Sequence, residues 1–217
     1  MNDRAYWRQL DILNPNETRD KEVAIIGAGG IGSPLALLLA KIGFTKLTVF
    51  DFDTIEEHNI PNQLFRLDDI GKHKTEALKE IIKDFTGAEV ETVNNEWKGE
   101  LKPIMIVATD NMTSRQAVYN KVKDSQEVEL LIDARMGAEL IRIYAIEPLN
   151  PMACEFYEKM LYPSEEAEKL PCTAQAIFYN TFTLSGLVAC ILKHFIMLES
   201  YPKEIILDLS TFTFFKN

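Results

Sequence analysis

Gly27-Ala28-Gly29-Gly30-Ile31-Gly32 follows the apolar run Val23–Ile26 and precedes a helix-forming segment, giving G-x-G-x-x-G between a strand and a helix. The first glycine allows a tight turn and the second lets a phosphate approach the backbone. The third lets helix pack on strand, and the unpaired N–H groups at the helix start attract an anion. Asp51 closes the next apolar run, Lys46–Phe50, where a carboxylate can accept hydrogen bonds from ribose hydroxyls. These residues imply nucleotide binding. They do not choose the nucleotide, because NAD-dependent oxidoreductases carry the same turn and acid.

The residues that follow make the choice. Asp51-Phe52-Asp53 is succeeded by Asn59 and then Gln63, and Gly71-Lys72-His73-Lys74 opens the next helical segment. Ala108-Thr109-Asp110-Asn111 follows the apolar run Ile104–Val107, and Tyr6-Trp7-Arg8-Gln9 stands near the start. This ordered set resembles the ThiF, MoeB and ubiquitin-activating superfamily of adenylyltransferases over roughly residues 6 to 135. The resemblance implies that Asp51, Asp53, Asn59 and Gln63 contact ATP and that Lys74, from G-x-x-K, reaches the triphosphate. It implies that Asp110, from T-D-N, holds Mg²⁺ near the α-phosphate. Arg8 would cross to the ATP of a second subunit, which implies a homodimer. Asn62 stands where the family has an arginine; Arg66, one helical turn on, is a candidate replacement.

Adenylylation suits these residue types. A carboxylate attacks the α-phosphorus and pyrophosphate leaves, so two anions must meet and positioning with charge neutralisation carries the catalysis. Arg8 and Lys74 would neutralise the outer phosphates, and Asp110 would place the metal. Asn59 and Gln63 would orient oxygens without adding charge. Each has a plainer reading. Lys74 can be a solvated lysine, Asp110 a cap for the helix near Met112, and Arg8 a surface charge. The resemblance implies, as acceptor, the C-terminal carboxylate of a ubiquitin-like or sulfur-carrier protein or peptide. The alternatives are an NAD-dependent oxidoreductase and an inactive binding module that keeps the fold.

Cys154, Cys172 and Cys190 are odd in number and widely spaced, which excludes a disulfide framework and C-x-x-C zinc pairs. A reducing, cytoplasmic setting is expected. Cys172, before a long apolar segment, resembles the sulfur-handling cysteine of the ThiF branch and is a catalytic candidate; a buried structural thiol is the other reading. His58, His73 and His194 are too dispersed for a transition-metal site.

The elements that position these groups alternate. Val23–Ile26 reads as a strand, Ile31–Lys41 as a helix, Lys46–Phe50 as a strand and Lys72–Phe85 as an amphipathic helix. Strands at Ala88–Val93 and Ile104–Val107, a helix at Met112–Lys123 and a strand at Leu130–Ile132 follow. Leu140–Ile146 alternates as a half-exposed strand, and Glu204–Phe215 is strand-like. A short amphipathic helix is expected at Tyr6–Leu13. The reading is α/β: a Rossmann-like, mostly parallel sheet with helices on both faces, extended by antiparallel strands toward the C-terminus. With no repeat or linker, residues 1–217 form one adenylation domain of the ThiF type.

A formal charge of −10 argues against binding nucleic acid or an anionic membrane. Cys172–Leu192 carries no charge and could span a bilayer, but Thr173, Gln175, Asn180, Thr181, Thr183 and Ser185 dilute it; a helix buried in protein is expected.

Overall fold

Alternate residues of each central strand face two separate cores. The computed structural model describes residues 3–163 and 176–217. Strands β1 (Glu22–Ile26), β2 (Lys46–Phe50), β3 (Glu91–Val93), β4 (Ile104–Val107) and β5 (Leu130–Gly137) are parallel, and β6 (Leu140–Ile146), β7 (Glu204–Asp208) and β8 (Thr213–Lys216) continue antiparallel. The order across the sheet is β3-β2-β1-β4-β5-β6-β7-β8.

Val23, Ile25, Leu47, Val49, Ile104 and Ile106 face one core with helices α2 (Gly32–Ile42), α3 (Lys74–Thr86) and α6 (Phe178–Ile196). Ala24, Ile26, Phe50, Met105 and Val107 face the other, with α4 (Met112–Val122) and α5 (Pro151–Glu158). Burial on both faces is why these strands read as unbroken apolar runs. A further single-turn helix, α1, spans Pro15–Thr18.

The uncharged segment resolves as α6 from Phe178 onward. It buries Leu184, Val188, Ile191 and Leu192, while Asn180 donates to the Ala138 carbonyl at 2.7 Å. No described helix is long and apolar enough to cross a membrane.

Two expectations are corrected. Tyr6–Leu13 is not a helix: a 3₁₀ turn covers Asp3–Tyr6, and i→i−3 bonds follow. Gln9 turns its amide inward to the carbonyls of Leu13 and Ile42, both at 3.0 Å, which ties the segment down without a regular ladder. Glu204–Phe215 is a hairpin, β7 and β8, that reverses around Ser210 on the Asp208 carboxylate. Pro151 opens α5, where Asn150 caps the amides of Met152 and Ala153.

Candidate nucleotide site

The strand order reverses between β1 and β4, and ligands of open α/β sheets bind beyond the carboxyl ends of strands at that crevice. Gly27 follows β1 there with φ +103°, and a Cβ on it would stand 2.7 Å from the Ala108 carbonyl oxygen after β4. A Cβ on Gly32 would lie 1.8 Å from the Gly27 oxygen. Both positions therefore require glycine. Helix α2 starts at Gly32, with Ile31 as its N-cap and no side-chain cap. The Ser33 amide is taken by the Gly29 carbonyl at 3.0 Å and Pro34 has no N–H, so Gly32 offers the helix amide that can face an anion.

Asp51, buried at the end of β2, closes this corner. Its Oδ2 accepts from the Ala28 amide at 2.6 Å and its Oδ1 from the Asp53 amide at 2.8 Å. Ser33 donates to the Gly29 carbonyl at 2.7 Å and accepts from the Leu64 amide at 3.1 Å, which pins the loop after β2 to the turn. A Cβ on Gly29 would be 4.0 Å from Nε2 of Gln63, and one on Gly30 would be 3.2 Å from the Asn62 carbonyl oxygen. The buried side-chain oxygens of Asn62, Gln63 and Thr109 have no hydrogen-bond partner among the described residues. Buried polar atoms are normally paired, so these orphans, brought to the glycine turn by the loop after β2 and the segment after β4, fit a surface that takes a polar ligand.

Asn59 is buried, and its Oδ1 accepts from the Glu56 amide at 2.9 Å, so it shapes the loop. Lys74 is not the solvated lysine of the plainer reading. Its side chain is 8% exposed, and Nζ pairs with Asp53 at 2.7 Å. Asp110 does not cap α4. Asn111 does so, accepting from the Ser114 amide at 2.8 Å, and the Asp110 carboxylate is left exposed with Asn111 Nδ2 at 3.1 Å.

Arg66 does not replace the missing arginine. Its guanidinium is held by Asp69 at 3.0 Å, Asp84 at 3.1 Å and Glu80 at 3.5 Å. Arg8 is exposed and lies beside Gln9, which is bonded to Ile42 at the far end of α2, roughly 15 Å of helix from the turn. Cys172 lies outside the described residues; Cys190 in α6 is exposed, and Cys154 is half-buried.

Sequence reasoning missed Arg115. Its guanidinium reaches Asp133 and the carbonyls of Thr109 and Ala134 from the buried face of α4. The signal was present: Arg115 falls in register with Met112, Val118, Tyr119 and Val122, and an arginine on an apolar stripe needs a buried acceptor. Two cavities, of about 290 and 430 Å³, lie elsewhere, at Glu147, Tyr201 and Lys203 and at Glu139, Tyr179 and Phe212.

Residues 6–189 match the model of the ThiF family, and the chain belongs to that family. It is similar to ubiquitin-like modifier-activating enzyme 5 of Dictyostelium discoideum, 41% identical over 76 residues, covering 35% of this chain and 20% of that protein. To the same enzyme of Caenorhabditis elegans it is 27% identical over 161 residues, 65% of this chain and 38% of that protein. The alignments thus span well under half the length of these relatives. Among solved structures, PaaA superposes with a TM-score of 0.77 at 21% identity, over 99% of this chain and 72% of that one. Escherichia coli MccB with ATP gives 0.76 at 18% identity, over 100% and 72%. At such identities the likeness shows the fold.

Proposed function

We propose that this chain binds ATP across the glycine turn and adenylylates the terminal carboxylate of a ubiquitin-like protein, a sulfur-carrier protein or a peptide. The observation that carries the reading is the meeting of Gly27 with Ala108 and Thr109 at the switch point, with orphaned polar atoms of Asn62, Gln63 and Thr109 around it. Hydride transfer would use the turn and Asp51 but would leave the buried Lys74 and the uncapped Asp110 without work. The relatives add support: one is a ubiquitin-like modifier-activating enzyme, and one neighbouring structure holds ATP.

In this reading Gly29, Gly30 and the Gly32 amide at the start of α2 take phosphate oxygens, and Asp51 takes the ribose. A carboxylate oxygen of the acceptor forms the new bond to the α-phosphorus as the bond to the bridging oxygen breaks. The electron pair leaves with pyrophosphate, whose charge Lys74 neutralises. Arg8, held at the far end of α2, would come from a second copy in a homodimer. Asp110 offers one exposed hard oxygen, and no cluster of three metal-binding side chains exists among the described residues. That suits Mg²⁺, which needs one or two carboxylates and completes its shell with phosphate and water. When bound, the ion supplies neutralisation of the phosphate oxygens. Cys172 would then take the acyl group as a thioester with release of AMP. The expected setting is cytoplasmic.

Pyrophosphate exchange into ATP, with C-terminal peptides as acceptors, tests this. Exchange should appear with a matching acceptor and vanish in Asp110→Ala; unchanged exchange in that variant removes the metal assignment. A second reading, a silent binding module, is favoured by Asn62, whose neutral amide cannot replace a guanidinium. Nucleotide binding without exchange for any acceptor would select it.

A further inference from the structure

Asp133, fully buried in β5, divides its carboxylate between two arginines. Oδ1 accepts from Arg115, while Oδ2 accepts from Arg135 Nε at 2.7 Å and from the Tyr157 hydroxyl at 2.8 Å. Arg135 is held in turn by the Met160 carbonyl at 2.9 Å and by the Tyr144 ring, 4.7 Å from its centroid. Removing such ions from water costs several kcal/mol each, and apolar residues of similar volume often replace them without loss. The cluster must therefore do something besides fill space.

What it does is visible at Arg115. Its second nitrogen donates to the Thr109 carbonyl. That oxygen belongs to the planar peptide unit joining Thr109 to Asp110, so holding it fixes the direction of the bond into Asp110. On the other side Asn111 is fixed by its own capping bond to Ser114. Asp110 is exposed, yet its backbone is clamped from both ends.

We propose that Arg115, itself held by Asp133, is a positioning residue that aims the Asp110 carboxylate at the metal–phosphate position. This rests on the assignment of Asp110 to Mg²⁺ made above. A lysine at 115 would keep the charge beside Asp133 but lose the fork that reaches two acceptors at once.

The test compares ATP affinity by calorimetry, in EDTA and in saturating Mg²⁺, for the full chain and for Arg115→Lys, Asp110→Asn and the double variant. In Arg115→Lys, ATP affinity in EDTA should stay within about threefold of wild type while the Mg²⁺ enhancement falls by about tenfold, and the double variant should lose no more of that enhancement than Asp110→Asn. A merely structural arginine would give losses that add. Wild-type enhancement in Arg115→Lys, or additive losses, overturns the proposal. Should Arg115→Lys not fold, the near-isosteric Asp133→Asn carries the same expected loss and the same contrary result. Failure of the wild type to bind ATP overturns the functional reading as well; ATP binding that Mg²⁺ does not strengthen removes the metal role alone and this proposal with it.

Discussion

Lys74 and Asp53 are joined twice: the lysine Nζ donates to the Asp53 carboxylate at 2.7 Å, and its amide donates to the Asp53 carbonyl at 3.0 Å. The two residues that the resemblance sends to the nucleotide thus hold each other. The Asp53 side chain is half exposed whereas the lysine is buried, so arriving phosphates would take over from Asp53 as the partner of the lysine charge.

Lys74→Met therefore separates structure from function. The apolar isostere suits a buried position, so the unfolding midpoint should hold or rise, while ATP affinity drops by about tenfold. Denaturation and calorimetry on the same sample check it. A parallel loss of both would return Lys74 to a structural role.

The neighbours Asp110 and Asn111 should behave oppositely. Asn111→Ala removes the α4 cap and should cost about 1 kcal/mol of stability, whereas Asp110→Ala should stay within about 0.5 kcal/mol. Urea unfolding of the two variants distinguishes them.

Gly32 and Gly87 provide a steric contrast. Alanine at 32 meets the Gly27 oxygen at 1.8 Å, while at 87, with φ +69°, it meets open space. The first should cost about 3 kcal/mol and the second about 1 kcal/mol, read from unfolding curves.

Burial pushes the Asp69 carboxyl up, but the bonds from Arg66 and Lys72 outweigh this and hold it below the usual carboxylate value. A carboxylate lowered on folding contributes stability above its unfolded pKa and loses it as pH falls through the folded one. Wild type should therefore lose more stability than Asp69→Asn between about pH 5 and pH 2. Equal acid sensitivity would contradict the role of this cluster.

The parallel half of the fold was legible because strands buried on both faces, such as Val23–Ile26 and Lys46–Phe50, appear as apolar runs ending at glycine or an acid. The β7–β8 hairpin was not, because Phe212, Phe214 and Phe215 are exposed and give no inward–outward contrast at the turn. At Tyr6–Leu13, helical periodicity lost to the inward hydrogen bonds of Gln9. In the site, residue types at spacing pointed to the turn and Asp51, and the family resemblance pointed to Lys74 and Asp110. They could not show that Asn111 rather than Asp110 is the cap, that Arg66 is held by Asp69, Glu80 and Asp84, or that Arg115 reaches back to Thr109. Each depends on where a side chain turns, which local sequence does not dictate.

Titration of the full chain with Mg-ATP and, separately, with NAD⁺ tests the central claim most directly. The account predicts saturable Mg-ATP binding, NAD⁺ at least about tenfold weaker, and a loss of about 1.4 kcal/mol in ATP affinity for Lys74→Met. Tighter binding of NAD⁺, or ATP binding indifferent to Lys74, would contradict it.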